Sequence, residues 1–239
     1  MPDPAPPTVV VTGASQGIGE AIARAFAAAV PGVRLALLAR SQGRLESVAD
    51  ACRASGADAL VLPTDATDEA ATEAAAAAVH ERWGAASVVV ANAGSFTPGA
   101  LLDTPLDEFR RQIDANLTSA FLTTRAFLPP MVAARAGLVV YMGSIASVKG
   151  YAGGGAYTAA KHGVLGLARV VREETKTSGV RVTTLLPGAT RTPSWDGTAE
   201  PDDRFMPPED IAAAVLDIWR LSPRTVVEEV LLRPQLGDL

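Results

Sequence analysis

A chain of 239 residues that is 48% hydrophobic and 20% charged can bury a full core in one domain or at most two, and with only 5% aromatics that core is mostly Ala, Val, Leu and Ile. A formal net charge of -5 without a run of Lys or Arg argues against a nucleic-acid surface, and no apolar run is long enough to span a bilayer. Cys52 is the only cysteine, which excludes an intrachain disulfide and a cysteine-based metal site.

Met1 to Pro7 is proline-rich and lacks the basic and apolar regions of a signal peptide. Residues 1–7 therefore read as a mobile tail, and the protein as soluble and cytoplasmic. Strand-like and helix-like segments then alternate. Thr8–Val11 is an apolar run, followed by a glycine-rich turn and a helix over Gly19–Ala29, with Ile22, Ala25, Phe26 and Ala29 on one face. Arg34–Ala39 is a second strand, Gly43–Ser55 a helix and Ala59–Leu62 a third strand. Asp68–Trp83 is an alanine-rich helix with Thr67 as its expected N-cap. Ser87–Ala91 is the fourth strand. Leu106 to Ala134 reads as one long helical stretch that Pro129–Pro130 must bend or break. Leu138–Met142, Val180–Leu186 and Val226–Leu232 are further strands, with helices over Ala156–Thr177 and Pro208–Leu221 between them. Phe26, Phe109, Phe121 and Phe127 read as helix-face core.

Continuous apolar strands separated by helices imply a doubly wound α/β fold, a Rossmann-type parallel sheet of about seven strands with helices on both faces. Without an internal linker, residues 8–239 read as one domain. Ligands in such folds bind beyond the carboxyl ends of the strands, and every motif below falls there.

The first strand runs into Thr12-Gly13-Ala14-Ser15-Gln16-Gly17-Ile18-Gly19. Gly13 suits the sharp turn, Gly17 allows backbone to approach a pyrophosphate, and Gly19 permits close helix–sheet packing. The helix start offers free N–H groups to phosphates. After the second strand, an acid at position 39 would bind the adenosine ribose hydroxyls and repel a 2′-phosphate, but the residue is Ala39. Arg40 can pair with that phosphate instead, and Ser15 and Ser41 can add hydroxyl donors. NADP(H) is therefore expected over NAD(H). Tyr157 and Lys161 stand one helical turn apart, so a phenol and an ammonium share a face. A neighbouring ammonium lowers a tyrosine pKa and makes it a proton donor or acceptor for carbonyl/alcohol interconversion. His80 and His162 lack ligand-like spacing, and no metal is expected.

Taken together these motifs resemble those of the short-chain dehydrogenase/reductase family, over essentially residues 8–232. The glycine motif is Thr12 to Gly19, the Asn-Ala-Gly motif is Asn92-Ala93-Gly94, and the Pro-Gly turn is Pro187-Gly188, with Thr192 at the usual threonine. The catalytic set matches Asn116, Ser144, Tyr157 and Lys161. The resemblance implies hydride transfer between a nicotinamide and a carbonyl or secondary alcohol. Tyr157 acts in it as general acid/base, Lys161 tunes the tyrosine and holds the nicotinamide ribose, Ser144 holds the substrate oxygen, and Asn116 holds a water that links the lysine to solvent. Ser147 reads as a loop serine and His162 as a surface or interface residue.

The implied cofactor set comprises Gly13, Ser15, Gln16, Gly17, Ile18 and Gly19, then Arg40 and Ser41. It continues with Asp65 against the adenine and Ala66, and with Asn92 beside the adenosine ribose, Ala93 and Gly94. Tyr157, Lys161, Pro187, Gly188, Thr190 and Thr192 complete it. Gln16 counts against NADP, because many NADP-preferring relatives carry a second basic residue there. The implied substrate contacts are Ser144, Phe96, Tyr151 and Trp195, with Ser95, Val148 and Phe205 nearby and residues 190–207 as a substrate loop. The resemblance also implies a homodimer or homotetramer formed through the helices of Asn116 and Tyr157, with Val164, Leu167 and Val171 as packing residues. Two further readings stay open: a 3-oxoacyl-carrier-protein reductase, whose usual glycine-rich ending is missing here, and a non-catalytic dinucleotide-binding redox sensor.

Overall fold

The computed structural model describes residues 5–238. Seven strands form one parallel sheet in the order β3-β2-β1-β4-β5-β6-β7, comprising β1 (Thr8–Thr12), β2 (Arg34–Ala39), β3 (Asp58–Pro63), β4 (Val88–Ala91), β5 (Gly137–Met142), β6 (Val180–Pro187) and β7 (Glu229–Leu232). The order reverses between β1 and β4, so the loops leaving those two strands diverge and open a crevice at the carboxyl edge of the sheet. The helices are α1 (Gly17–Ala29), α2 (Gln42–Ala54), α3 (Glu69–Trp83), α4 (Leu106–Ile113), α5 (Ser119–Ala134), α6 (Gly155–Thr175) and α7 (Pro208–Arg220).

Strand side chains alternate between two cores. Val9, Val11, Leu35 and Leu37 pack with α1, α2 and α7, while Val10, Ala36, Leu38 and Tyr141 pack with α3, α5 and α6. Both faces are thus covered, which is why the strands are apolar throughout. Tyr141 is fully buried, and its hydroxyl meets Thr124 at 2.6 Å. Burial pushes that phenol up to about 12, so it stays neutral and serves packing.

The structure corrects five expectations. Of the expected mobile tail, residues 1–4 lie outside the described residues, and Pro7 is tied to β2 because its carbonyl accepts the Arg34 N–H at 3.0 Å. Asp68, not Thr67, caps α3, with its carboxylate accepting from the Ala71 N–H at 3.0 Å. α5 continues through Pro129 and Pro130, and the long helix is interrupted instead at a π-helical turn over Asp114–Thr118. Phe121 is 45% exposed, whereas Phe26 and Phe127 are buried. Val164 and Val171 face the sheet and are buried there, so the large apolar side chains that α5 and α6 leave exposed are Phe121 and Val170.

Candidate active site

The loops that leave the strands at their carboxyl ends line one cleft of about 1410 Å³. Its first wall is the turn between β1 and α1. Gly13 and Gly17 adopt φ of +66° and +59°, a region that L side chains rarely enter. A Cβ at Gly19 would stand 2.3 Å from the Gly13 carbonyl oxygen, so only glycine lets the helix start so close to the strand end. No side chain caps α1, and its first N–H groups remain free for an anion. Thr12 locks this turn to the end of β4: its Oγ1 accepts from the Asn92 and Ala93 N–H groups, both at 3.0 Å. The Asn92 amide donates to the Thr12 and Gly13 carbonyls at 2.9 and 3.3 Å. Asn92 therefore lines the cleft as a brace of the glycine turn, its amide already engaged. The donors and the clearance fit the pyrophosphate of a dinucleotide.

At the far end of this wall Arg40, Ser41, Asp65 and Ala66 line the cleft together with Thr67. The Asp65 carboxylate accepts from the N–H and the hydroxyl of Thr67 at 3.0 and 2.8 Å. Those bonds hold its carboxyl below the usual range and rigidify the loop. Arg44 was not singled out from the sequence. It lies on the first turn of α2, four residues after Arg40, and its Nη1 donates to Gln16 Oε1 at 2.6 Å. Gln16, which lacks a charge of its own, thus carries a guanidinium to the mouth of the cleft beside Arg40. An arginine four residues beyond Arg40, at the start of the next helix, was the available signal.

The other end of the cleft holds Ser144, Tyr157, Lys161 and Asn116. Lys161 is 4% exposed and donates to the Met142 carbonyl at 2.8 Å. Burial lowers it from 10.5 to about 8. Its Nζ lies 5.5 Å from the centre of the Tyr157 ring. The Tyr157 hydroxyl is pushed upward by burial, with Ser144 acting against that. The downward shift expected from the lysine is not what this geometry produces, because the ammonium points at Met142 and not at the phenol. Ser144 starts a short turn in which its Oγ accepts from the Ala146 N–H at 3.1 Å. Ser147, in contrast, is buried, and its Oγ accepts from the Ser144 N–H at 3.2 Å, so it orients Ser144. His162 is exposed on α6, bonded to the Thr158 carbonyl.

Asn116 sits in the π-helical turn. Its Nδ2 donates to the Ser95 carbonyl at 2.8 Å and to the Gln112 carbonyl at 2.9 Å, the latter an acceptor that an unbroken α-helix would give to the Asn116 N–H. Its buried Oδ1 has no partner. A Cβ at Gly94 would lie 2.5 Å from that oxygen and 3.6 Å from Lys161 Nζ. Glycine therefore keeps open the space between an orphaned acceptor and a buried ammonium, which suits a water between them.

The short chain dehydrogenase family profile matches residues 7–203. Sepiapterin reductase of Chlorobaculum tepidum is 35% identical, over 97% of both chains. Among solved structures, an alcohol dehydrogenase from the archaeon Thermococcus sibiricus complexed with 5-hydroxy-NADP is 34% identical, with a TM-score of 0.90 over 98% of both chains. A metagenomic short-chain oxidoreductase in complex with NADP is also 34% identical, with a TM-score of 0.84 over 96% of this chain and 97% of that one. This chain belongs to the short chain dehydrogenase family. It is an oxidoreductase with the family's Rossmann-like sheet.

In this dehydrogenase the residues picked out for the nicotinamide end, Pro187, Gly188, Thr190 and Thr192, line the cleft, as do Phe96, Tyr151 and Trp195 at the substrate end. Phe96 packs edge-on to Tyr157 at 5.1 Å and to Tyr151 at 6.3 Å. Val148 is 49% exposed and contributes nothing to the cleft wall. The loop of residues 190–207, expected to meet substrate, is closed at its base by paired backbone bonds, Arg191 N–H to the Met206 carbonyl at 2.8 Å and Met206 N–H to the Ala189 carbonyl at 3.0 Å. Phe205 is buried and stands edge-on to Trp195 at 5.0 Å. It buttresses the tryptophan from behind while Trp195 itself meets the cleft. Among the described residues no helix is long and apolar enough to cross a membrane.

Proposed function

We propose that this dehydrogenase interconverts a carbonyl compound and a secondary alcohol with NADP(H), using Tyr157 as the general acid/base. The observation that carries the reading is the convergence of Ser144, Tyr157 and buried Lys161 on one end of a cleft whose other end presents Arg40 and Arg44. The solved relatives bound to NADP and 5-hydroxy-NADP point the same way. The glycine turn and the free N–H groups of α1 would hold the pyrophosphate, Arg40, Arg44 and Ser41 the 2′-phosphate, and Pro187, Gly188 and Thr192 the nicotinamide end. Bound there, the cofactor supplies or accepts the hydride.

The chain's own residues handle the proton. In reduction, Tyr157 donates its hydroxyl proton to the oxygen of the former carbonyl while Ser144 donates a hydrogen bond to the same oxygen as charge develops. For Lys161 to stabilise the resulting phenolate, its ammonium must turn from the Met142 carbonyl toward the phenol, from a resting position 5.5 Å from the ring centre. The space at Gly94 gives the lysine a route to solvent past Asn116 Oδ1. Oxidation runs these steps in reverse. A non-catalytic sensor would have no use for an ammonium buried at this cost.

The test is NADPH oxidation against ketones, diketones and β-ketoacyl thioesters. Tyr157→Phe should lower turnover by about 10²–10⁴ with cofactor binding, read by NADPH fluorescence, unchanged. A variant that keeps wild-type turnover would refute the assignment.

A further inference from the structure

Three loops meet where the substrate end of the cleft opens. The loop after β5 carries Lys149, whose N–H bonds to the Ile145 carbonyl at 3.0 Å, next to Ser144. The turn after β6 is Gly188, whose N–H donates to the Leu232 carbonyl at 2.7 Å. A Cβ at Gly188 would come within 3.5 Å of the Arg233 Cα, so the segment after β7 lies directly on the nicotinamide-side turn. That segment then doubles back: the Gly237 N–H bonds to the Pro234 carbonyl at 2.9 Å with Gly237 at φ +89°. The reversal brings Asp238 to the cleft wall alongside Lys149.

There the Asp238 carboxylate is gripped from two sides. Arg233 Nε and Nη2 meet its two oxygens at 3.0 and 2.9 Å, and Lys149 Nζ meets Oδ2 at 2.9 Å. The forked arginine is the geometry that recognises carboxylates. The carboxylate is 20% exposed and Lys149 and Arg233 are 57% and 44% exposed; Lys149 and Asp238 line the cleft, with Arg233 bonded to the carboxylate beside it. Asp196, another acid of the cleft wall, lies 3.7 Å from Arg191, which also bonds Asp202 at 2.8 Å. Among the described residues, two cations hold this one carboxylate.

We propose that Lys149 and Arg233 form an anion subsite for a carboxylate on the substrate, and that Asp238 occupies it in the substrate's absence. This deepens the proposed carbonyl reduction and rests on it, since it makes the substrate class a keto acid or hydroxy acid whose carboxylate displaces Asp238. The charge cluster does no chemistry. It positions the substrate's far end while Ser144 and Tyr157 meet the carbonyl.

The experiment compares 4-oxopentanoate with its methyl ester in wild type, Asp238→Asn and Lys149→Ala. It also measures the affinity of pentanoate, which has no carbonyl to reduce, by ligand-observed NMR. The ratio of kcat/KM for acid over ester should rise about fivefold in Asp238→Asn and fall about fivefold in Lys149→Ala, with pentanoate affinity moving in the same directions. Ester kinetics should stay near wild type. An acid-to-ester ratio and a pentanoate affinity that are equal in all three proteins would overturn the subsite and leave the reductase reading intact. Pentanoate binding that follows the two substitutions without reduction of either ketone would uphold the subsite and sink the reductase reading.

Discussion

Replacing Lys161 by methionine removes a charge that the fold holds at a cost. The side chain is 4% exposed, and burial takes it from 10.5 to about 8. That gap corresponds to about 3 kcal/mol against the charged form in the fold relative to the unfolded chain. The protein returns one hydrogen bond, to the Met142 carbonyl at 2.8 Å, worth about 1 kcal/mol. Met142 lines the cleft, so water can take its carbonyl when the lysine is gone. Methionine fills the channel of the lysine stem. Lys161→Met should therefore be more stable than wild type by about 2 kcal/mol at neutral pH, a Tm increase of about 4–8 °C in a chain of this size, and should have no turnover. The sign with pH follows from a folded value below the unfolded one. The penalty is full below about 8 and is relieved as the pH climbs toward 10.5, where the unfolded chain also loses its proton. The variant's advantage should shrink close to zero by about pH 9.5. Thermal or urea denaturation of both proteins without cofactor, at neutral pH and near 9.5, measures it. A variant less stable than wild type at neutral pH, or a difference that ignores pH, would refute the reasoning.

Arg40→Asp should reverse the preference for NADPH over NADH, and Arg44→Ala should weaken NADPH binding about fivefold with NADH unaffected, since both guanidinium groups are exposed and act through screened water; steady-state kinetics with the two cofactors decides. Gly19→Ala places a methyl 2.3 Å from the Gly13 carbonyl, so cofactor binding read by fluorescence should disappear, and wild-type affinity would show that the turn is not the cradle described. Cys52 is fully buried, with its thiol pushed up to about 11 by burial. It should resist a thiol reagent at pH 8 in the native protein and react in urea, whereas rapid native labelling would mean that the α2 side of the core opens easily.

How far the sequence carried depended on the range of the interaction involved. Strand runs such as Val9–Val11 and the Gly13, Gly17 and Gly19 spacing are local, and their consequences lie within a few residues, so they were legible. The Ser144, Tyr157 and Lys161 constellation was legible because each residue sits at the end of a strand or one helical turn from the next. The Arg44–Gln16 bond crosses 28 positions and depends on side-chain reach, which no local pattern encodes. The same holds for Asp238, whose partner Lys149 lies 89 positions away. Pro129 and Pro130 are strong local signals and pointed to a bend or break there, but the interruption of the helical ladder lies at Asp114–Thr118. The actual interruption is produced by a side-chain amide taking over a backbone partner, a substitution that leaves no mark on hydrophobic periodicity.

That interruption has a consequence for lineages of this chain. The turn over Asp114–Thr118 is wider than an α-helical one and so accommodates an additional residue between α4 and α5. Loss of one codon in this segment would let the two helices fuse into a regular ladder, rotating one against the other by about 100°. Gln112, which pins Thr97 through its carbonyl at 2.9 Å, would swing away, and Asn116 would surrender its amide to the helix. Every strand and every glycine would survive the deletion. Segment length between Leu106 and Ala134 therefore sets whether Asn116 keeps its place beside Gly94, independently of the rest of the fold.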